Sequence, residues 1–207
     1  MAAHLFTKEQ IFDEAQICYN NSKLLIQGMA ELTKAFDEDF DIDNCFKQFD
    51  IIIQALLFSQ ALADRDFCKE EKELIVLLAG NNDLFECTDH EALNGLSWDK
   101  VYDMPLDEQV KLSSAINEIL DSAAEEFVLP LALLDAATTQ NSLKDLSSLL
   151  TSLSILLAAV DGTVEDVELI TFQSQAEKLL LGKWADVKGL SELMMDEGED
   201  SDSDEEV

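Results

Sequence analysis

Residues 153–168 read LSILLAAVDGTVEDVE, and residues 56–71 read LLFSQALADRDFCKEE. Both stretches begin as an apolar run, break at an aspartate and end at a glutamate after the same number of residues. In the later copy these two residues are Asp161 and Glu168. An apolar run that stops at a short polar bend and then resumes is typical of two helices joined by a tight turn.

The earlier copy has Asp64 and Glu71 in the same two places. The repeat therefore predicts two similar helical hairpins, at about residues 44–80 and 142–181. Neither hairpin can bury its apolar face alone, so we expect the two to pack together in one bundle.

The composition favours an all-α fold. The 207 residues are 47% hydrophobic and include only two prolines and seven glycines, which is a globular composition with few helix breakers. We expect a single compact helical bundle of about seven to nine helices over residues 1–194. A disordered acidic tail is expected at residues 195–207.

Capping patterns predict where several helices begin. Thr7-Lys8-Glu9-Gln10 is a capping box that opens a long first helix. The polar run Asn20-Asn21-Ser22 predicts a break in that helix, and the acidic residues 37–44 predict a loop.

Further along the chain, short helices are predicted after Thr88 and Ser97. Residues 106–137 predict a long helix that Pro130 bends or divides. Asn141 is predicted to cap the first helix of the second hairpin.

The charge of the chain is strongly negative, with 44 acidic against 13 basic residues and a net charge of −31. Residues 196–207 hold eight of the acids and no base, so the rest of the chain carries −23. Such a surface repels nucleic acid and anionic lipid and attracts cations and basic proteins. We expect a protein partner with a basic surface and no direct nucleic acid binding, with improved solubility as the alternative explanation.

The sequence has features of a cytoplasmic protein. It shows no signal peptide and no apolar run long enough for a membrane span. Its four cysteines (Cys18, Cys45, Cys68 and Cys87) form no close pairs, which argues against a zinc site and favours reduced, mostly buried thiols.

The two bends carry the candidate metal ligands, because Ca, Mg and Mn prefer several carboxylate oxygens. The candidate ligands are Asp161, Glu165 and Glu168 in the later copy, and Asp64, Asp66 and Glu71 in the earlier copy. Helix capping is the competing explanation, since acids at a helix start accept backbone N–H bonds.

The earlier copy is the weaker candidate, because Arg65 stands where the later copy has Gly162. Its repeat also has a second possible frame, with Asp66 and Glu73 in place of Asp64 and Glu71.

The later copy matches the second half of an EF-hand loop, but Leu157 and Ala159 occupy ligand positions and exclude that site. Residues 39–50 match the whole loop more closely, with Asn44 for the glycine and Asp50 for the closing glutamate. A weaker calcium site therefore remains open there.

The repeated pattern of an apolar helix, Asp-Gly, an apolar residue and Glu resembles the TerB-like (tellurite-resistance) domains over about residues 44–181. This resemblance implies one compact helical bundle with a metal site at its acidic helix connections. It also implies a role in stress-linked or defence-linked protein assemblies. Asp161, Gly162 and Glu168 fit the pattern, as do Asp64 and Glu71, whereas Arg65 departs from it.

Catalysis is not expected. His4 and His90 are isolated, and no serine or cysteine has an evident histidine partner. We therefore expect a non-enzymatic acidic interaction module that binds a divalent metal ion. An electrostatic mimic that covers a basic, nucleic-acid-binding partner is the alternative, and a metal-dependent hydrolase is the third hypothesis.

Overall fold

The computed structural model describes residues 6–80, 85, 93–123, 135, 138, 141–162 and 165–179. In this part the chain forms seven helices and no strand, which confirms the all-α prediction. The helices are α1 (Lys8–Phe36), α2 (Ile42–Ala61), α3 (Lys69–Ala79), α4 (Trp98–Tyr102), α5 (Leu106–Ala123), α6 (Ser142–Ala158) and α7 (Asp166–Lys178).

Helix α2 lies at the centre of the bundle, where it packs against α1, α3, α5, α6 and α7. Every residue from Ile51 to Leu62 is buried, so the second half of α2 is enclosed on all sides. A helix that is apolar around its whole circumference requires such a position. The long apolar run that marks the first repeat in the sequence therefore forms the core of the fold.

The two predicted hairpins are α2–α3 and α6–α7, and they contact each other through α2 with α6 and α2 with α7. Helix α1 covers them, running along α6 and touching α2 and α3. The buried amide of Gln60 joins the hairpins, because its Nε2 donates to the carbonyl of Ser154 at 2.8 Å.

A second buried glutamine, Gln54, fixes α3 and α4 to α2. Its Nε2 donates to the carbonyl of Ala79 at 2.6 Å, and its Oε1 accepts from Trp98 Nε1 at 3.0 Å. Trp98 is fully buried and contacts the rings of Phe58 and Phe67. The turn that closes the first hairpin is thus packed directly onto the core.

The predicted break in α1 is wrong, since the helix is continuous across Asn20–Ser22. Ser22 is buried and its Oγ donates to the carbonyl of Cys18 at 2.9 Å, which satisfies the hydroxyl inside the helix. The capping box at Thr7 is confirmed: Gln10 N–H donates to Thr7 Oγ1, and Thr7 N–H donates to Gln10 Oε1.

The cap of α6 differs from the prediction. Asn141 is the N-cap residue but makes no side-chain capping bond. Instead, the buried carboxylate of Asp135 accepts from the N–H groups of Ser142 at 3.1 Å and Leu143 at 3.3 Å. An acid outside the helix therefore satisfies two of its first backbone donors.

Several predictions concern residues outside the described part of the chain: the helix after Thr88, the bend at Pro130 and the acidic tail 195–207. Within the described part, no helix is both long enough and apolar enough to cross a membrane.

Candidate functional site

The two bends begin in a similar way. Gly162 has a φ of 94°, and Arg65 at the matching position has a φ of 70°, the left-handed region that favours glycine. Arg65 N–H donates to the carbonyl of Leu62 at 3.2 Å, and Gly162 N–H donates to that of Ala159 at 3.1 Å. The repeat seen in the sequence is thus matched in structure at the first residues of each bend, and Arg65 adopts the glycine conformation at a steric cost.

The glutamates that close the two patterns begin the second helices in the same way. Glu71 is the third residue of α3, and its Oε2 accepts from the N–H of Cys68 at 2.7 Å. Glu168 is the third residue of α7, and its Oε2 accepts from the N–H of Glu165 at 3.1 Å. The glutamate half of a capping box is therefore present in both copies.

These contacts decide which glutamate of the first bend, Glu71 or Glu73, is equivalent to Glu168. Glu73, the alternative partner, is on the surface, where it forms ion pairs with Lys8 at 3.0 Å and Lys69 at 3.2 Å. Glu71 is the residue that matches Glu168 in position, capping role and burial.

Both glutamates are buried, each with only 4% of its surface exposed. Burial raises the pKa of Glu71 to about 8, opposed by its hydrogen bonds from Cys68 and assisted by repulsion from Glu168 and Asp64. Burial likewise raises the pKa of Glu168 to about 7, with repulsion from Asp64 and Asp161 adding to the effect. The ion pairs of the described residues involve neither glutamate.

Electrostatic repulsion links carboxylates of the two bends. Asp64 of the first bend raises the pKa of both glutamates, and Asp161 of the second bend raises that of Glu168. We call Asp64, Glu71, Asp161 and Glu168 the acidic cluster. It brings together two carboxylates from each hairpin.

The remaining sequence candidates, Asp66 and Glu165, are exposed. Asp66 is exposed, and its N–H donates to Asp64 Oδ1 at 2.8 Å within the bend. Glu165 is exposed at the start of α7, and the Asp161 side chain is exposed as well. The glutamates thus form the buried part of the site, and the aspartates form its open edge.

The acidic cluster is not a preformed metal cage. Among the residues that the structure describes, no three His, Cys, Asp or Glu side chains are arranged to hold a metal ion. The six predicted ligands therefore do not converge as one coordination shell in this conformation.

The weaker calcium site at residues 39–50 is incompatible with the structure. Asp41 caps α2 by accepting from Asn44 N–H at 3.0 Å, and the helix begins at Ile42. Residues 42–50, most of the twelve-residue loop, are helical, so the oxygens of the loop cannot wrap around an ion. Asp50, the proposed closing ligand, is paired with Lys23 at 2.9 Å.

Sequence reasoning missed how deeply Glu71 is buried. The signal was present, because a glutamate three residues after an N-cap and followed by an apolar run is typical of a capping box. Arg65 made the first copy the weaker candidate in the sequence, yet Glu71 and Glu168 are buried to the same extent.

Comparison of the chain with protein-family models, curated proteins and solved structures finds no match.

Proposed function

We propose that this protein is a non-enzymatic interaction module in which the acidic cluster takes up a divalent cation and thereby stabilises the contact between the two hairpins. One observation carries this proposal: Glu71 and Glu168, one from each hairpin, are both buried, and the charge of Glu168 disfavours the charge of Glu71. Two ionised carboxylates in such a place are costly unless a proton or a cation neutralises them.

A hard divalent cation such as Ca, Mg or Mn suits this set of oxygens. Asp64 and Asp161 lie at the open edge of the cluster, where an ion could enter without disrupting the core. Since no cage is preformed, we expect weak binding, with a Kd on the order of 10⁻⁴ to 10⁻³ M.

Calorimetric titration with calcium, magnesium and manganese at about pH 9, where pKa values of about 8 and 7 leave both glutamates largely ionised, tests the proposal. The variant Glu71→Gln with Glu168→Gln should lose the binding heat, while glutamine keeps an acceptor oxygen for each capping bond. Glu177→Gln, an exposed change on α7, is the matched control and should bind as the wild type does. Equal binding by wild type and double variant would contradict the proposal.

The electrostatic mimic is a second candidate, favoured by the surface around the start of α2. Five acids are exposed within seven residues there: Asp37, Glu38, Asp39, Asp41 and Asp43. A row of exposed acids like this one can bind a basic surface that otherwise binds nucleic acid. Binding to such a partner should weaken steeply with salt and should be unchanged in the Glu71→Gln, Glu168→Gln variant.

The stress-linked or defence-linked assembly implied by the TerB-like resemblance is also a proposal. Its support is the repeated eight-residue pattern and the shared geometry of the two bends at Arg65 and Gly162.

A further inference from the structure

Helices α1 and α6 border an open groove of about 540 Å³ on the surface of the bundle. Six residues line it, three from each helix: Asn21, Leu24, Leu25, Asp145, Ser148 and Leu149. The groove lies away from the bends, on helices that contribute nothing to the acidic cluster.

The apolar residues at this groove are unusually open to solvent. Leu24 is 66% exposed, and Ile17, two helical turns earlier on the same face of α1, is 50% exposed. Leu25 and Leu149 are half-buried at the base of the groove. An amphipathic helix presented to this groove could bury these side chains together.

Gly28 continues the same face of α1, one turn after Leu24. A Cβ built there meets nothing within 4 Å, so no neighbouring group explains the glycine. Glycine in the middle of an exposed helix costs about 0.5–1 kcal/mol relative to alanine. A shallow position next to an exposed leucine allows the close approach of another chain.

The surroundings of the groove determine which kind of chain fits. Asp145 lies in the groove itself, and exposed Asp13, Glu14 and Glu31 extend the same side of α1 at both ends. Lys144, next to Asp145 in the chain, is exposed and basic. A second copy of this chain, with its own net charge of −31, would be repelled.

We infer that the α1–α6 groove is the docking surface for a basic amphipathic helix of a partner protein. Its apolar residues would cover Leu24 and Ile17, and its lysines or arginines would lie beside the acids at the ends of α1. This inference rests on the proposed role as an interaction module and assigns that role a surface and a partner chemistry.

The probe is a fluorescein-labelled peptide of leucine and lysine, about 18 residues long, with all leucines on one helical face. A scrambled peptide of the same composition has the same charge but no apolar face. Fluorescence anisotropy with the full chain at moderate salt should show tighter binding of the amphipathic peptide. The difference between the two peptides measures the contribution of the groove beyond attraction of opposite charges.

Matched variants locate the binding. Leu24→Ser should weaken binding of the amphipathic peptide about five- to tenfold, as expected for the loss of a central apolar anchor. Ile170→Ser on α7 removes a side chain that is 67% exposed, almost the same as Leu24, and should leave binding unchanged. Gly28→Gln adds bulk to the groove with a better helix former, so it should weaken binding while raising the thermal midpoint.

The outcomes distinguish failure of the proposed interaction role from failure of the groove assignment. If the chain binds neither peptide even at low salt, the proposed role as a module for basic partners is wrong. If both peptides bind equally, or Leu24→Ser and Ile170→Ser behave alike, only the groove is wrong. Dimerisation in sedimentation runs that Leu24→Ser abolishes would assign the groove to a second copy and overturn the inference.

Discussion

Arg65 carries the clearest local strain in the described structure, since it is the non-glycine residue with a positive φ, at 70°. A left-handed backbone costs an ordinary side chain about 1–2 kcal/mol. The matching bend of the other hairpin avoids this cost with Gly162.

Replacing Arg65 by glycine should therefore raise the free energy of unfolding by about 1 kcal/mol, because the relief of strain exceeds the entropy cost of glycine. The mirrored change, Gly162→Arg, should lower it by a similar amount. Urea denaturation of both variants measures the two values. Destabilisation by Arg65→Gly would show that the arginine side chain makes a compensating contribution to stability.

The bends also show what could be predicted at single residues. The sequence predicted the equivalence of Asp64 with Asp161 and of Glu71 with Glu168, because the same spacing recurs at the end of an apolar run. It could not predict that Glu168 raises the pKa of Glu71, because that depends on how α3 and α7 are placed around α2.

At the scale of the helices, Gln54 connects three elements with one side chain. It is fully buried, and it bonds both the end of α3 at Ala79 and the indole of Trp98 on α4. A polar group of this kind stabilises the fold only while all of its partners are present.

Gln54→Leu should lower the free energy of unfolding by about 2–4 kcal/mol, since it leaves a buried carbonyl and a buried indole N–H without that partner. Urea denaturation followed by tryptophan fluorescence measures the loss. Gln27→Leu on the exposed side of α1 is the control and should change stability by no more than about 0.5 kcal/mol. A loss as small in Gln54→Leu as in the control would show that the network contributes little.

Helix boundaries were predictable where the signal is local and were missed where it is not. The capping box at Thr7 consists of adjacent residues and was confirmed. The cap of α6 comes from Asp135, which precedes the helix by several residues and accepts hydrogen bonds from its first backbone N–H groups. The break at Asn20–Ser22 was wrong because Ser22 is buried by packing, which overrides weak helix propensity.

At the scale of the whole molecule, the acidic cluster makes stability depend on pH. Folding raises the pKa of Glu71 to about 8 and of Glu168 to about 7, both from an ordinary value of 4.5. Between pH 4.5 and about pH 8 the folded chain therefore binds more protons than the unfolded chain. Stability from this source is therefore complete below pH 4.5 and is lost as the pH rises through about 7 and 8.

We expect the free energy of unfolding to fall by up to about 5 kcal/mol between about pH 5.5 and about pH 8.5. Denaturant titrations across this range should show the slope in wild type and a nearly flat profile in Glu71→Gln with Glu168→Gln. Glu177→Gln should keep the wild-type slope. An unchanged slope in the double variant would assign the effect to other groups.

The enclosure of α2 has a consequence for motion. Backbone amides near the surface of a protein exchange with solvent through local fluctuations, whereas amides in a fully enclosed element exchange only when the whole domain opens. Loosening residues 51–62 would detach α2 from five other helices at once, so no partial opening can expose them. The hairpin that carries Glu71 is anchored through α2, so we expect the amides of residues 51–62 to be among the slowest to exchange in the described part of the chain.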